Sequence, residues 1–399
     1  MAARPDEIGP PQPPPLLQWI RENLLSTWYN AILTLASLAV IYLAVSGVLR
    51  WILFTADFSP ITENFVLFLV GQYPRDQLWR IGTSVILVSL LLGSSWAIWG
   101  DTLRAFSWTL ATMYLLVAIL PISSVAPGLR VFMAVNPVLI FASYWLAGRA
   151  RWSSRSLLIG WVVSAVVIWL LLSGIGSSGF LPPVPIGNWG GLLVTVLLAV
   201  SGILLSFPIG VILALARRSS LPVLSVFSTV FIELIRGVPL ISILFLFSLI
   251  VPLFLPPDVR FDRLLRAMVA MTVFSAAYMA ENVRGGLQAI PSGQIQAARA
   301  VGLNNFQTTL LIVLPQALRL VIPTIVGQFI SLFKDTTLAS GVAVLEILSI
   351  ARSVLQGNPE YLRLQAEVYV FIAAIFWIFS YSMSVASRRI ETQLGVGER

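Results

Sequence analysis

Charged residues enter the apolar runs in the second half of this chain as pairs: Glu233 with Arg236, Glu281 with Arg284, and Lys334 beside Asp335. A charge at the centre of a membrane helix costs about 2.5–3.5 kcal/mol on insertion scales, so such residues mark a site, a partner or a helix end. The two Glu/Arg pairs have one-turn spacing, which allows an ion pair within each helix and suits a bend or an oriented span end. Lys334 and Asp335 are adjacent and point about 100° apart on a helix, so each needs its own partner or water. Glu346 adds a further carboxylate. Short polar side chains keep helical spacing too: Thr272, Ser275 and Tyr278 along one run, Gln328 and Ser331 along the next. Such groups serve a ligand in a cavity or a hydrogen bond between helices.

Covalent and metal chemistry are not expected. The chain has no histidine and no cysteine, which excludes disulfides and any metal site or catalysis built on those residues. Its carboxylates are scattered rather than paired as acid and base. There is no G-x-x-x-x-G-K-[ST] phosphate loop, and the one lysine, Lys334, follows a phenylalanine, so ATP binding on this chain is not expected either.

The elements that position these residues are membrane helices. Hydrophobic residues make up 58% of the 399 and charged ones 11%, with a mean hydropathy of +0.90, which requires several membrane spans. Apolar runs near the ~20 residues of one crossing lie at 27–54, 80–100, 105–122, 130–148, 156–174, 190–216, 222–255, 264–288, 317–345 and 366–387. The expectation is an all-α polytopic bundle of about ten transmembrane helices, the last five forming a core. The run at 222–255 is too long for one straight span and breaks at Arg236-Gly237-Val238-Pro239; it reads as one crossing with a bent entry.

The net charge of +8 is carried by arginines in the short gaps between runs, where they act as topology signals and give no reason to expect nucleic acid. With alternating spans and the N-terminus inside, cytoplasmic segments hold the larger share, among them Arg149, Arg151, Arg155, Arg217, Arg218, Arg388 and Arg389; outer segments hold fewer, such as Arg75, Arg80, Arg130, Arg260, Arg266, Arg352 and Arg363. Both termini and residues 291–316 are then cytoplasmic. The expected domains are a proline-rich tail at 1–26, a five-span extension at 27–174, a glycine- and proline-rich outer loop at 175–189, a core at 190–389 and a tail at 390–399. Trp51, Trp79 and Trp189 read as interface anchors.

Residues 291–316, PSGQIQAARAVGLNNFQTTLLIVLPQ, are too polar to cross a bilayer and too regular for a slack loop. Pro291 and Ser292 form a helix start. Ile295, Ala298 and Val301 make a small apolar stripe, and Gly302 ends the helix. Asn304 with Gln307 has the spacing of a capping box, and Pro315 marks the turn into the next span. The segment predicts two short, stiff helices, and periodicity alone is also met by an interfacial loop.

The run GQIQAARAVGLNNFQTTLLIVLPQA resembles the EAA loop of ABC-importer permeases, in which Glu-Ala-Ala is followed by a glycine and an Ile/Val-x-Leu-Pro ending. Gln296 stands where that pattern has glutamate; Ala297, Ala298, Gly302, Leu303 and Pro315 match it. FIELIRGVPL at 231–240, AAYMAENVRGGLQAIPSGQ at 276–294 and FKDTTLAS at 333–340 resemble, in order and spacing, polar-amino-acid importer permeases of the histidine and glutamine type. The similarity covers 188–389, and the added spans resemble the layout of a general L-amino-acid ABC transporter subunit.

The resemblance implies an importer permease in a bacterial inner membrane, with residues 291–315 as the coupling helices seated on a cytoplasmic ATPase. It implies a homologous permease subunit in a heterodimer, two ATPase subunits carrying the ATP-Mg, and a periplasmic amino-acid-binding protein. It makes Thr272, Ser275, Tyr278, Gln328 and Ser331 substrate-path candidates, and Glu233, Arg236, Glu281, Arg284, Lys334 and Asp335 structural or gating charges. The competing expectation is an ion-gradient-driven secondary amino-acid transporter, which calls for internal repeats and broken helices lining an ion site.

Overall fold

The computed structural model describes residues 15–150, 152–176, 179, 181–256, 261–393 and 395. The leader at 1–14, Arg151, Arg260 and the tail beyond 395 lie outside the described residues. Among the described residues every regular element is helical, and two isolated bridges, Gly71 with Trp189 and Gly191 with Glu346, are the strand-like pairings.

The chain divides into two units, residues 1–57 and 58–399. In the first, α1 (Leu16–Asn23) precedes α2 (Trp28–Arg50), which runs on as a π-helical turn to Thr55. Thr27 caps α2 by accepting from the Asn30 amide at 3.4 Å. The span is apolar on every side, as suits a helix facing lipid.

The second unit holds α3 (Ser59–Val70), α4 (Leu78–Trp99), α5 (Arg104–Ile119), α6 (Pro127–Ala150), α7 (Ser154–Ser173), α8 (Gly191–Arg217), α9 (Pro222–Arg236), α10 (Leu240–Phe245), α11 (Arg263–Gln288), α12 (Ser292–Ala300), α13 (Asn305–Gln307), α14 (Leu314–Asp335), α15 (Ile347–Gly357) and α16 (Gln365–Gln393). Eight helices of the described chain are long and apolar enough to cross a membrane, or nine if the bent pair Pro222–Arg236 with Leu240–Phe254 is one span. With the 16-residue α5, these are the ten apolar runs of the sequence. Leu120, which precedes a proline, has ψ 141; the pyrrolidine ring disfavours helix at that position and cuts α5 short. The bent pair turns by 107° at Gly237–Pro239, where the proline removes a helix donor.

Lipid gives helices no hydrophobic reason to associate, so close contact and hydrogen bonds do the work. Between α4 and α6, a Cβ on Gly93 would lie 2.1 Å from the Ile140 carbonyl, and Ser89 Oγ donates to Asn136 Oδ1 at 3.0 Å. Between α7 and α4, Trp161 Nε1 donates to Ser95 Oγ at 2.9 Å. In the core, α8 packs along α11: a Cβ on Gly210 would lie 2.6 Å from Met279 Cβ, and Ser275 Oγ donates to Ser206 Oγ at 3.1 Å. Gly202 faces Leu332 of α14.

Two short helices carry apolar faces without being long enough to cross. Both α3 (12 residues) and α15 (11 residues) are too short to cross, yet each is packed into the core. Trp189, expected at an interface, is 1% exposed and sits edge-on to Trp169 with centroids 5.5 Å apart. The glycines beside it let three backbones converge there, which buries the indole.

Candidate functional site

The two Glu/Arg pairs meet near the ends of α8, α9 and α11. Arg217, the last residue of α8, donates through Nη2 to Glu233 Oε1 at 2.9 Å and through Nη1 to Glu281 Oε2 at 3.3 Å. Arg236 lies 3.7 Å from Glu281 Oε2 and 3.9 Å from Glu233 Oε2. Arg284 grips the Glu281 carboxylate, donating from Nε to both oxygens at 2.9 Å and again from Nη2. The one-turn pairs expected from sequence thus exist, and a third arginine fuses them into a single cluster. Arg218 extends it by donating to the Leu287 carbonyl near the end of α11 at 3.1 Å.

Glu281 is the hub, its side chain 22% exposed against 54% for Glu233. Isolated exposed ion pairs are worth about 0–1 kcal/mol; a shared carboxylate holding three guanidinium groups ties three helix ends together and leaves each contact individually exchangeable. The cluster also touches Tyr278, whose ring centroid lies 5.6 Å from the Arg236 guanidinium, a distance suited to cation–π attraction.

Four residues beyond the end of α11, α12 begins. Pro291 precedes it without a side-chain cap, and Ser292 is its first residue rather than its cap. Ala298 is buried and Ile295 half-buried, but Val301 is 76% exposed. Gly302 adopts φ +87, and the Leu303 amide reaches back to the Ala298 carbonyl at 3.2 Å, the six-residue return bond of a Schellman stop. Asn304 and Gln307 form the expected capping box, with bonds of 2.9 and 3.0 Å. The helix that follows does not turn at Pro315. It passes from α13 through a π-helical segment, Thr308–Val313, straight into α14. Proline lacks the donor that an α-helical ladder requires there, and the wider π turn accommodates the loss. Gln296, Ala297 and Pro315 are exposed, and Leu303 is half-buried. Val301, Phe306, Leu310 and Leu311 leave an apolar row uncovered.

The polar residues of α11 do not share one environment. Ser275 is fully buried in its bond to Ser206, Thr272 is buried with its hydroxyl unpaired, and the Tyr278 ring lies tilted against Phe274 with centroids 4.8 Å apart. On α14, Gln328 is half-buried and Ser331 exposed. Lys334 is exposed and Asp335 half-buried, and neither enters an ion pair among the described residues.

At the far end of α8 from Arg217 lies Glu346, which is 0% exposed. It caps α15, accepting from the Leu348 and Ser349 amides at 2.8 and 2.7 Å, while Thr195 accepts from the Ile347 amide at 3.1 Å. Burial pushes its carboxyl up to about 7, against the downward pull of those amide bonds. Sequence reasoning noticed Glu346 but gave it no role, and it read Arg217 as a topology signal. Arg217 had one clue: it ends an apolar run immediately before Arg218.

A helix bundle whose broken crossing, charge cluster and capped polar loop share one end has the architecture of the membrane component of a solute transport system. The family of binding-protein-dependent transport system inner membrane components matches residues 206–395. The chain belongs to the amino-acid ABC transporter permeases of this family. It is 35% identical over 400 residues to the inner membrane amino-acid ABC transporter permease protein YhdY of Escherichia coli (strain K12), covering 95% of this chain and 93% of that protein. It is 33% identical over 439 residues to the glutamate/glutamine/aspartate/asparagine transport system permease protein BztC of Rhodobacter capsulatus, covering 97% of each. A shorter relative, the probable glutamine ABC transporter permease protein GlnP of Bacillus subtilis, is 38% identical over 205 residues, 51% of this chain and 92% of its own length. The chain is therefore a multi-pass inner-membrane transport subunit of an ABC importer, not a secondary transporter and not an enzyme; ATP hydrolysis belongs to a separate ATPase.

Proposed function

We propose that this chain carries polar L-amino acids into the cytoplasm as one half of a heterodimeric permease pair, with two ATPase subunits holding ATP-Mg and a periplasmic binding protein delivering the substrate. Its N- and C-termini are cytoplasmic in this reading, and residues 291–315 are the coupling element. The division into an extension at 27–174 and a core at 190–389 belongs to the same proposal. The observation that carries it is the join between loop and bundle. The stretch after α12 leaves Val301 and Phe306 exposed, with Leu310 and Leu311 exposed on the π-helical segment that follows, and α11, which leads into α12, is tied by Glu281 to α8 and to the bend after α9. Closure of an ATPase pair against α12 would pull on Glu281 and bias the bent α9–α10 crossing between two arrangements. Thr272, Tyr278 and Gln328 remain the substrate-path residues of this proposal, with Ser275 and Ser331 flanking them; Lys334 and Asp335 act in gating.

The test is uptake of labelled glutamate and glutamine by proteoliposomes holding the complete complex, with and without ATP inside or outside. Gly302→Pro, which cannot adopt φ +87, is expected to abolish ATP-driven uptake or ATPase association while the chain still inserts. Unchanged uptake would overturn the coupling role.

A further inference from the structure

The helix α3 lies well before residue 206, where the family match begins, and yet it is built into the core. Its Phe68 is fully buried and its Ile61 and Phe65 are buried in one cluster with Ile347, Ile350 and Val354 of α15 and Val368 and Ile372 of α16. Phe371 of α16 receives Phe65 and Phe68 at centroid distances of 6.3 and 5.6 Å. The C-terminal end of α3 is seated on the start of α8: a Cβ on Gly71 would lie 2.5 Å from Gly190 Cα, and one on Gly191 would lie 2.1 Å from the Phe68 carbonyl. Contacts this close to backbone exclude any side chain at those positions.

The helix is broken on purpose at its middle. Asn64 leaves helical geometry at φ −115 and ψ 18, which frees the Thr62 carbonyl and the Phe65 amide. Ser124 takes up both, donating to Thr62 O at 2.6 Å and accepting from Phe65 N at 3.1 Å. Beside this break stands Glu63, the only acid on α3. Its carboxylate accepts a hydrogen bond from the Tyr361 hydroxyl. Tyr361 belongs to the 3-10 turn Pro359–Arg363 joining α15 to α16, at the end of the bundle opposite α12. The carboxylate's hold on the proton, then burial, raise the Tyr361 hydroxyl above its ordinary range.

We infer that α3 is a working part of the permease and that Glu63 is a positioning residue, holding the α15–α16 turn in place through Tyr361. The inference rests on the transport reading above, with this turn at the end of the bundle opposite the coupling helix α12. A carboxylate acceptor holds a hydroxyl more firmly than a neutral one, and α3, locked at its C-terminal end against Gly190 and Gly191, gives the turn a fixed anchor. In this way α3 acts on transport from outside residues 206–395, the region matched by the family.

The test compares Glu63→Gln, Glu63→Leu, Tyr361→Phe and the double variant Glu63→Leu/Tyr361→Phe in the complete complex in proteoliposomes. Uptake of glutamate and glutamine is read as kcat and KM, beside the ATP hydrolysed per substrate and the amount of chain in the membrane. Glu63→Leu and Tyr361→Phe should each lower kcat about five- to tenfold per folded complex, with a rise in ATP hydrolysed per substrate. Glu63→Gln, which still accepts the bond, should stay within about twofold of the parent. The double variant should lose no more than either single one. Parent-like kcat in both single variants, additive losses in the double, or losses that vanish after correction for chain abundance would overturn the inference. The Gly302→Pro test is independent: uptake surviving there removes the coupling reading, whereas parent-like Glu63→Leu removes only the role of α3.

Discussion

The two ends of α8 are built on opposite principles. At Arg217 the helix stops among side chains: three arginines share two glutamates, each contact between flexible, half-exposed groups. At Gly191 it starts among backbones. Three segments close around Gly71, Gly190 and Gly191 with no room for a Cβ, and the Gly191 amide donates to the Leu345 carbonyl at 2.8 Å. The arginines largely follow the same division, although Arg218 at the Arg217 end also donates to the Leu287 carbonyl. Near the Gly191 end they serve carbonyl oxygens: Arg130 donates to those of Leu120, Ile122 and Val125, and Arg80 to that of Leu171. Carbonyl caps fasten helix ends permanently, whereas ion pairs at a half-wet surface exchange partners at low cost. Under the proposed coupling role, the Gly191 end would hold and the Arg217 end would move, as a lever requires.

Gly191→Ala tests the holding end most severely. It adds a methyl 2.1 Å from the Phe68 carbonyl at a φ of +62, and strain with overpacking should cost about 3–5 kcal/mol. Chain abundance in the membrane and the midpoint of thermal unfolding should both collapse; a parent-like midpoint would show that the three backbones can part freely.

Glu346 sharpens the same end by pH. Its carboxyl rises from an ordinary 4.5 to about 7, so the folded state binds the extra proton between those values. The stability it contributes is complete below pH 4.5 and is lost as pH rises to 7, with about 3 kcal/mol across the window at about 1.4 kcal/mol per unit. The stability difference between the parent and Glu346→Gln should therefore change over that window and be flat above it. A constant difference from pH 4.5 to 8 would remove the buried carboxyl from the account.

At the moving end, Arg217→Ala should lower ATP-driven uptake about tenfold while shifting stability by less than about 1 kcal/mol. Arg217→Lys, which keeps the charge but loses the fork, should recover part of the rate. A loss of stability in step with the loss of uptake would mean that this end, too, only holds. The smallest effect is expected from Gly302→Ala. There the φ of +87 is strained for alanine, but nothing lies within 4 Å of the added carbon, so about 1 kcal/mol of local helix stop is the whole cost. The contrast with Gly191→Ala at a similar φ isolates the contribution of packing.

Much of this was legible in the residues. The ten apolar runs, the break before Pro239, the Gly302 stop and the Asn304–Gln307 box follow from length, missing donors and local hydrogen bonds, all of which act within a few residues. The pairs Glu233/Arg236 and Glu281/Arg284 follow from one-turn spacing. Their fusion through Arg217 does not, because Arg217 and Glu281 are 64 residues apart in the chain. Trp189 carried the signal of an interface anchor and proved to be core. Pro315 carried that of a turn and proved to sit inside a helix that widens to receive it.

The sequence by itself determined that this is a bundle of membrane helices with a stiff polar loop, since hydropathy, proline and glycine act on the chain wherever it lies. Only the tertiary structure decided which charges share a partner, that α3 enters the core, and that Glu346 is sealed from water. Those outcomes depend on which helix ends meet, and helical periodicity carries no information about the identity of a distant neighbour.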